Sequence, residues 1–292
     1  RCFVSETTTP VDGESVEAFR MFDMESPSSG RVRKSASQIA AIMQRVGPPL
    51  LALVLLLAVW EVWVHLRDVR EYLLPAPSAV GSVLADDPVR YLDAASSTLI
   101  AAMGGLLIAT TIALVLAIAM AHSHTVERAL YPPALLLKLT PVVAVYPLLT
   151  IWLGFGIWPK MLIAALITFF PTLVNALVGL RSVDPAALDA LRSLDASPAQ
   201  LLWRLRLPSA LPYLFAALRI SVPLALIGAV VAEFLSGDSG MGQLILIANG
   251  DLDTATLFGV VAVLVAMGVT LTAVLAYVER RMLFWSSSTS GV

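Results

Sequence analysis

Six runs of the chain, at 48–66, 97–121, 130–153, 159–180, 211–235 and 256–277, are apolar on every side rather than along one stripe. A helix that is hydrophobic all round is buried in a large core or in a bilayer. Each run is close to the roughly 20 residues that a helix needs to cross a hydrocarbon layer of about 30 Å. The pattern predicts an all-α polytopic membrane protein with six transmembrane helices. The first run ends in Trp60 and Trp63, aromatic residues suited to a membrane interface. The third contains Pro132, Pro133, Pro141 and Pro147, so it is expected to kink or break. Such a break is tolerated only where protein or a cavity satisfies the freed carbonyls.

Composition narrows the class. Of 292 residues, 58% are hydrophobic and 14% charged, against about 25% charged in a soluble domain. The chain has too little polar surface to cover a water-soluble globule and too much apolar residue to stay disordered. Its net charge of −2 excludes a basic nucleic-acid binder. The lone cysteine, Cys2, excludes an internal disulfide. His122 and His124 flank Ser123 with no further ligands near them in sequence, and are read as part of a loop at the membrane boundary.

The ends differ from the middle. Residues 1–37 carry six acids and the polar clusters Thr7–Pro10 and Ser26–Gly30, a composition that cannot offset the entropy of ordering. They are expected to form a disordered tail, with Met21 or Met24 as a candidate start. Residues 38–285 form the transmembrane domain, and 286–292 a second flexible tail. Arg31, Arg33, Lys34 and Arg45 form a basic flank before the first run.

Arginine and lysine placement orients the spans. With the N-terminus in the cytoplasm, 14 of the 19 basic residues fall in cytoplasmic segments. Arg67, Arg70, Arg90 and Lys160 fall outside, and Lys138 lies within the third run. This satisfies the positive-inside rule with both termini cytoplasmic in a plasma (cell inner) membrane. The outer loop 237–253 carries Asp238, Asp251 and Asp253 and no base.

The segment 181–208 between the fourth and fifth runs is unlike the other connections. Asp184 followed by Pro185 reads as an N-cap and first helical position. Leu188, Leu191 and Leu194 then recur on one face. The chain turns at Asp195–Ala196. Ser197, Pro198 and Gln200 repeat the start signal as a capping box. Leu201, Leu202 and Leu205 make the next apolar face, which ends at Leu207–Pro208. On residues alone this is either an amphipathic loop lying on lipid phosphates or a docking element for a soluble partner.

Here the residues resemble the EAA loop of binding-protein-dependent ABC importer permeases. Asp189-Ala190-Leu191 stands in the Glu-Ala-Ala place, Asp195 in the glycine place, and Leu205-Arg206-Leu207-Pro208 in the final hydrophobic-x-Leu-Pro place. Leu191 replaces a small alanine. Asp195 replaces a glycine at a turn that calls for a left-handed residue, where Asp is among the next most tolerant. Other stretches are similar to the nitrate/sulfonate/taurine subgroup in the same order. They are Leu74-Pro75-Ala76-Pro77, the proline-rich run closing on Gly154-Phe155-Gly156, Ala232-Glu233 followed by Gly240-Met241-Gly242, and the end Glu279–Trp285.

The resemblance implies a type I importer permease with short cytoplasmic coupling helices. Asp189, Ala190, Leu191, Asp195, Ala196, Ser197, Leu207 and Pro208 would form its ATPase-coupling site. The implied partners are two ATP-binding-cassette subunits, a second permease copy and an extracytoplasmic substrate-binding protein, with the bilayer around them. ATP and Mg would sit on the partner ATPase. In agreement, none of Lys34, Lys138 and Lys160 follows glycine, so the sequence holds no Gly-Lys-Ser/Thr phosphate loop. No catalytic residue, cofactor or metal is expected in this chain, and no nucleic acid.

The implied substrate is a small organic anion such as a sulfonate, taurine or nitrate, or alternatively a pyrimidine or other vitamin precursor. Candidate pathway or dimer-seam residues are Asn175, Gly228, Ala232 and Glu233; Glu61 reads as interfacial. A stand-alone secondary transporter would need charged relays at mid-membrane, and Glu61 and Glu233 lie near span ends. A membrane enzyme would need nucleophiles clustered at one depth, and the sequence offers none.

Overall fold

The computed structural model describes residues 29–284, so residues 1–28 of the tail expected at 1–37, and the tail expected at 286–292, lie outside the described residues. It divides into two units, Arg1–Trp60 and Glu61–Val292. The first is described by its helix α1 (Ser29–Leu66), which crosses the boundary. This helix starts at Ser29, inside the stretch 1–37 that the sequence reads as a disordered tail and well before the first apolar run at 48–66. Residues 29–37 therefore form its first turns instead of a disordered tail. Its apolar part has already met the cost of nucleation, and propagation adds one hydrogen bond per residue, so arginine, lysine and alanine extend it readily.

The second unit is built of helices joined by turns and loops, with no strand among its described residues. It comprises α2 (Pro77–Asp86), α3 (Pro88–His122), α4 (His124–Leu139), α5 (Val142–Leu153), α6 (Ile157–Arg181), α7 (Pro185–Ser193) and α8 (Pro198–Leu201). A π-helical turn, Leu202–Arg206, then leads into α9 (Leu207–Ser236), α10 (Met241–Gly250) and α11 (Thr254–Met282). Among the described residues five helices are long and apolar enough to span a bilayer, and the count becomes six when the bent pair α4–α5 is taken as one broken span rather than a re-entrant loop. The pair bends by 100°. Thr140 precedes Pro141, whose ring pushes it out of the α region, and its backbone is extended (φ −71°, ψ 127°).

The core is a three-helix seam of α3, α6 and α9. Ala101, Gly105, Ala109, Ala113 and Ala117 recur every fourth residue on α3, and all are buried. This stripe of small residues brings the backbones together, as it does between helices in lipid. A Cβ on Gly105 would overlap the Met161 carbonyl and Ala164, and one on Gly228 of α9 would reach the Ala164 Cα at 2.9 Å. Ala164 thus lies between glycines of two helices. Thr172 and Ser221 share a buried hydrogen bond of 3.1 Å across the α6–α9 contact.

Candidate functional site

Two polar constellations sit at opposite ends of this seam. At the Arg181 end, the two helices of the loop between α6 and α9 start where the sequence predicts, but the second does not end at Leu207–Pro208: it runs through the π-helical turn into α9. The Asp184 carboxylate accepts from the Ala186 N–H at 3.0 Å and caps α7. Asp195 turns the chain with φ of +53°, in the left-handed region that its glycine-like place requires. Ser197 and Gln200 form the reciprocal capping box, with bonds of 2.8 and 3.3 Å.

The loop is braced where it leaves the bundle. Arg181 donates twice to Glu127, at 2.8 and 2.7 Å, and once to the Met120 carbonyl at 3.1 Å. On the return side Arg206 donates to the Ala121 carbonyl at 3.4 Å. Both arginines thus hold the C-terminal end of α3, where a cation complements the helix dipole. Between these braces no residue of α7 or α8 is buried. The Asp189 side chain is 76% exposed, and Leu194 and Trp203 are exposed apolar residues. Leu207 and Pro208 open α9, next to the π-helical turn, a local widening of the helix that sequence reasoning missed.

At the other end, Glu233 and Lys160 are wholly buried. Glu233 accepts from the Thr98 hydroxyl at 2.7 Å and from the Gly242 N–H at 3.1 Å. Its Oε1 has no hydrogen-bond partner among the described residues. Thr98 in turn accepts from the Met241 N–H at 2.9 Å. Lys160 donates to the Ser239 carbonyl at 3.2 Å and hydroxyl at 2.7 Å, and pairs with Asp238 at 2.5 Å. These bonds clamp the tight turn after α9. The turn needs glycine twice: Gly237 and Gly240 have φ of +64° and +94°, and a Cβ on Gly240 would overlap the Glu233 carboxyl. Burial works against the Asp238 carboxylate, but hydrogen bonds from Lys160 and Ser236 outweigh it and hold its pKa below the usual range.

The candidate pathway residues separate. Gly228 and Ala232 are buried within the chain, Gly228 in the α6–α9 seam, so they offer no face to a second copy. Glu233 likewise serves as an internal anchor and has no exposed surface. Small residues placed on one helix face pack whichever helix is nearest, and here that is a helix of the same chain. Asn175 is half-buried and donates to the Pro171 carbonyl of its own helix at 2.8 Å. Glu61 accepts from the Ser78 N–H at 3.0 Å and hydroxyl at 2.7 Å, holding the first turn of α2.

Sequence reasoning passed over Thr98 and the structural roles of Lys160 and Arg181. Lysine in the first turn of an apolar span was the available signal, since such a charge is costly unless paired. Among the described residues no group of His, Cys, Asp and Glu is placed to hold a metal ion.

The sequence pattern described as "binding-protein-dependent transport system inner membrane component" matches residues 109–284. A riboflavin transport system permease of Chloroflexus aurantiacus is 38% identical over 245 residues, which cover 81% of this chain and 89% of that one. A formylaminopyrimidine transport permease of Halalkalibacterium halodurans is 31% identical, covering 81% and 95%. The taurine transport permease of Escherichia coli is 32% identical, covering 80% and 87%. A crystal structure of an amino acid ABC transporter shares the fold, with a TM-score of 0.57 at 17% identity over 68% of this chain and 97% of that one.

The fold and the relatives together define a multi-pass permease subunit of an ABC importer. The chain belongs to the binding-protein-dependent transport system inner membrane component family.

Proposed function

We propose that this chain forms the translocation path of its importer and takes its driving force from a separate ATPase through the loop 184–208. The observation that supports this reading is the exposed, doubly capped α7–Asp195–α8 unit, braced by Arg181 and Arg206 to the ends of α3 and α4. A force on such a unit reaches the seam helices rather than being absorbed in slack. Asp189, Ala190 and Leu191 on α7, the Asp195-Ala196-Ser197 turn, and Leu207-Pro208 are the residues assigned to the ATPase contact.

The rest of the machine follows from the family. Two ATP-binding-cassette subunits would bind ATP and Mg, this chain hydrolysing nothing itself. A second copy of this chain would complete the path, and an extracytoplasmic binding protein would deliver the solute. The arginine-rich 184–208 side would face the cytoplasm, with both termini, in the cell's inner membrane. Replacing 184–208 with a neutral flexible linker tests the reading. The ATPase should no longer copurify with the chain and uptake should vanish; full uptake with the linker in place contradicts it.

For the substrate we favour a heterocycle of the flavin or pyrimidine type. The riboflavin permease is 38% identical against 32% for the taurine permease over a similar share of the chain. The acidic groups at the Glu233 end, Asp238, Asp251 and Asp253, do not favour direct capture of an anion. A sulfonate or taurine remains the second reading, supported by the taurine relative. Uptake of labelled riboflavin and taurine by vesicles holding the complete importer separates the two.

A further inference from the structure

Lys138 is an exposed cation in the last turn of α4, just before Thr140 and the 100° bend into α5. Its ammonium lies 4.9 Å from the centre of the Phe170 ring. Tyr131, two turns earlier on the same face of α4, meets that ring at 6.2 Å with the planes tilted by 58°. Phe170 sits near the middle of the 25 residues of α6. At a rise of 1.5 Å per residue it is about 17 Å from Arg181. Val142, just after the bend, and Ile167 pack on the same cluster around Tyr146, which puts the bend at this level too. A cation, two aromatic rings and a broken helix thus meet at mid-span.

The ring face offsets part of the cost of this charge. Among the described residues Lys138 has no carboxylate within ion-pair distance and no acceptor for its three N–H donors. The reason lies in the sequence. The stretches 29–60, 94–126, 128–183, 196–232 and 254–278 hold no Asp or Glu, so every carboxylate of the spans stands near a span end. A second copy of this chain therefore has no carboxylate to offer at this depth. Lipid phosphates lie outside a hydrocarbon layer of about 30 Å, beyond the reach of a group near its middle. With fixed partners and headgroups removed, the group that Lys138 meets is one that passes through.

We propose that Lys138, Tyr131 and Phe170 form a solute-contact site in the translocation path, and that they take a planar heterocycle with carbonyl oxygens along one edge. The proposal rests on the permease reading above. The rings offer flat apolar faces for stacking, and the ammonium donates to the carbonyl edge. Aromatic walls with one well-placed polar group are what a small-molecule site needs to fix a ligand's orientation. Substrate sites of transporters also favour the midplane, where a span is interrupted. Taurine fits less well. It has no ring to stack, and its own ammonium is repelled by Lys138.

The test uses the complete importer in proteoliposomes with its own binding protein and three labelled probes: riboflavin, a formylaminopyrimidine and taurine. Solute imported per ATP hydrolysed is read. The wild type should import at least one of the two heterocycles. For that heterocycle Lys138→Met should lower the ratio about tenfold and Phe170→Leu about threefold, while Lys138→Arg, which keeps charge and donors, should stay within about twofold of wild type. Tyr277→Leu removes the ring of the other cation–aromatic pair, under Arg281, and should change nothing. Leu135 lies between Tyr131 and Lys138 on α4 and is 39% exposed. In a Cys2→Ser background, Leu135→Cys should react with a membrane-impermeant thiol reagent, and the imported heterocycle should slow that reaction where taurine does not. A wild type that takes up neither heterocycle, a wild-type ratio in Lys138→Met, or an unreactive Leu135→Cys would overturn the site. A wild-type importer whose ATPase does not respond to its binding protein would overturn the permease reading as well, so the two failures are told apart.

Discussion

Arg181 closes a two-pronged ion pair on Glu127, with both nitrogen–oxygen distances under 3 Å (2.8 and 2.7 Å), and so ties the end of α6 to the start of α4. The same guanidinium reaches the Met120 carbonyl of α3. Three spans therefore meet at the residue where the α7–α8 loop leaves the bundle. Lysine cannot reproduce this planar fork. Arg181→Lys should lower uptake several-fold while ATP hydrolysis continues, since the loop would still dock but would be less firmly tied to the spans. Uptake and ATPase rates measured side by side in proteoliposomes check this; a parallel fall in both points instead to loss of assembly.

The α3–α6 seam gives a stability prediction. A side chain at Gly105 meets the Met161 backbone, which cannot move aside as a flexible side chain would. Gly105→Val should destabilise the folded chain by about 3 kcal/mol or more, at the upper end of overpacking costs. Gly81→Ala is the control, because a Cβ there meets nothing within 4 Å. Thermal unfolding in detergent, followed by fluorescence size exclusion, should show a large drop for the first and none for the second.

Asp195 invites a test by backbone conformation alone. Its φ of +53° is a region where L-residues pay about 1 kcal/mol or more and glycine does not. Asp195→Gly should keep full uptake. Asp195→Ile, β-branched and intolerant of this region, should disrupt the turn and reduce copurification of the ATPase. Equal behaviour of the two variants would show that the turn geometry is irrelevant to docking.

The Lys160–Asp238 pair carries a pH signature. The folded pKa of Asp238 lies below its ordinary value of about 3.9. The contribution of the pair is therefore fully present above that ordinary value and is lost as pH falls through the folded pKa. The melting temperature of the importer should be insensitive to this group between about pH 8 and 5 and begin to fall below about pH 4. Asp238→Asn should lower the plateau and shrink that acid-side drop, measured by differential scanning fluorimetry across the range.

Much of this architecture was legible in the chain. Six all-round apolar runs marked the spans, and Asp184, Ser197 and Gln200 marked the caps of the α7–α8 loop; four prolines announced a break in the third run but not its place, since Pro132, Pro133 and Pro147 lie inside α4 and α5 and only Pro141 stands at the break. These are local signals, in which a residue's own backbone preference or hydropathy decides the outcome. The partners of Glu233 were not legible. Thr98 and Gly242 lie 135 and 9 residues away from it, and nothing in sequence spacing pairs them. The same holds for Gly228 and Ala232: a small residue announces close packing but not against which helix. The π-helical turn at 202–206 carries no glycine or proline to betray it.

The claim that matters most is that α7 transmits the ATPase stroke, and Asp189 and Ala190 are where it is most exposed to test. The decisive measurement is solute imported per ATP hydrolysed in proteoliposomes for Asp189→Lys and Ala190→Trp. Both lie on an exposed helix with no buried residue, so neither should unfold the chain. The account predicts that uptake collapses while the ATPase loses its association with, or its response to, the permease. An unchanged ratio of solute to ATP, at wild-type uptake rates in both variants, would contradict it.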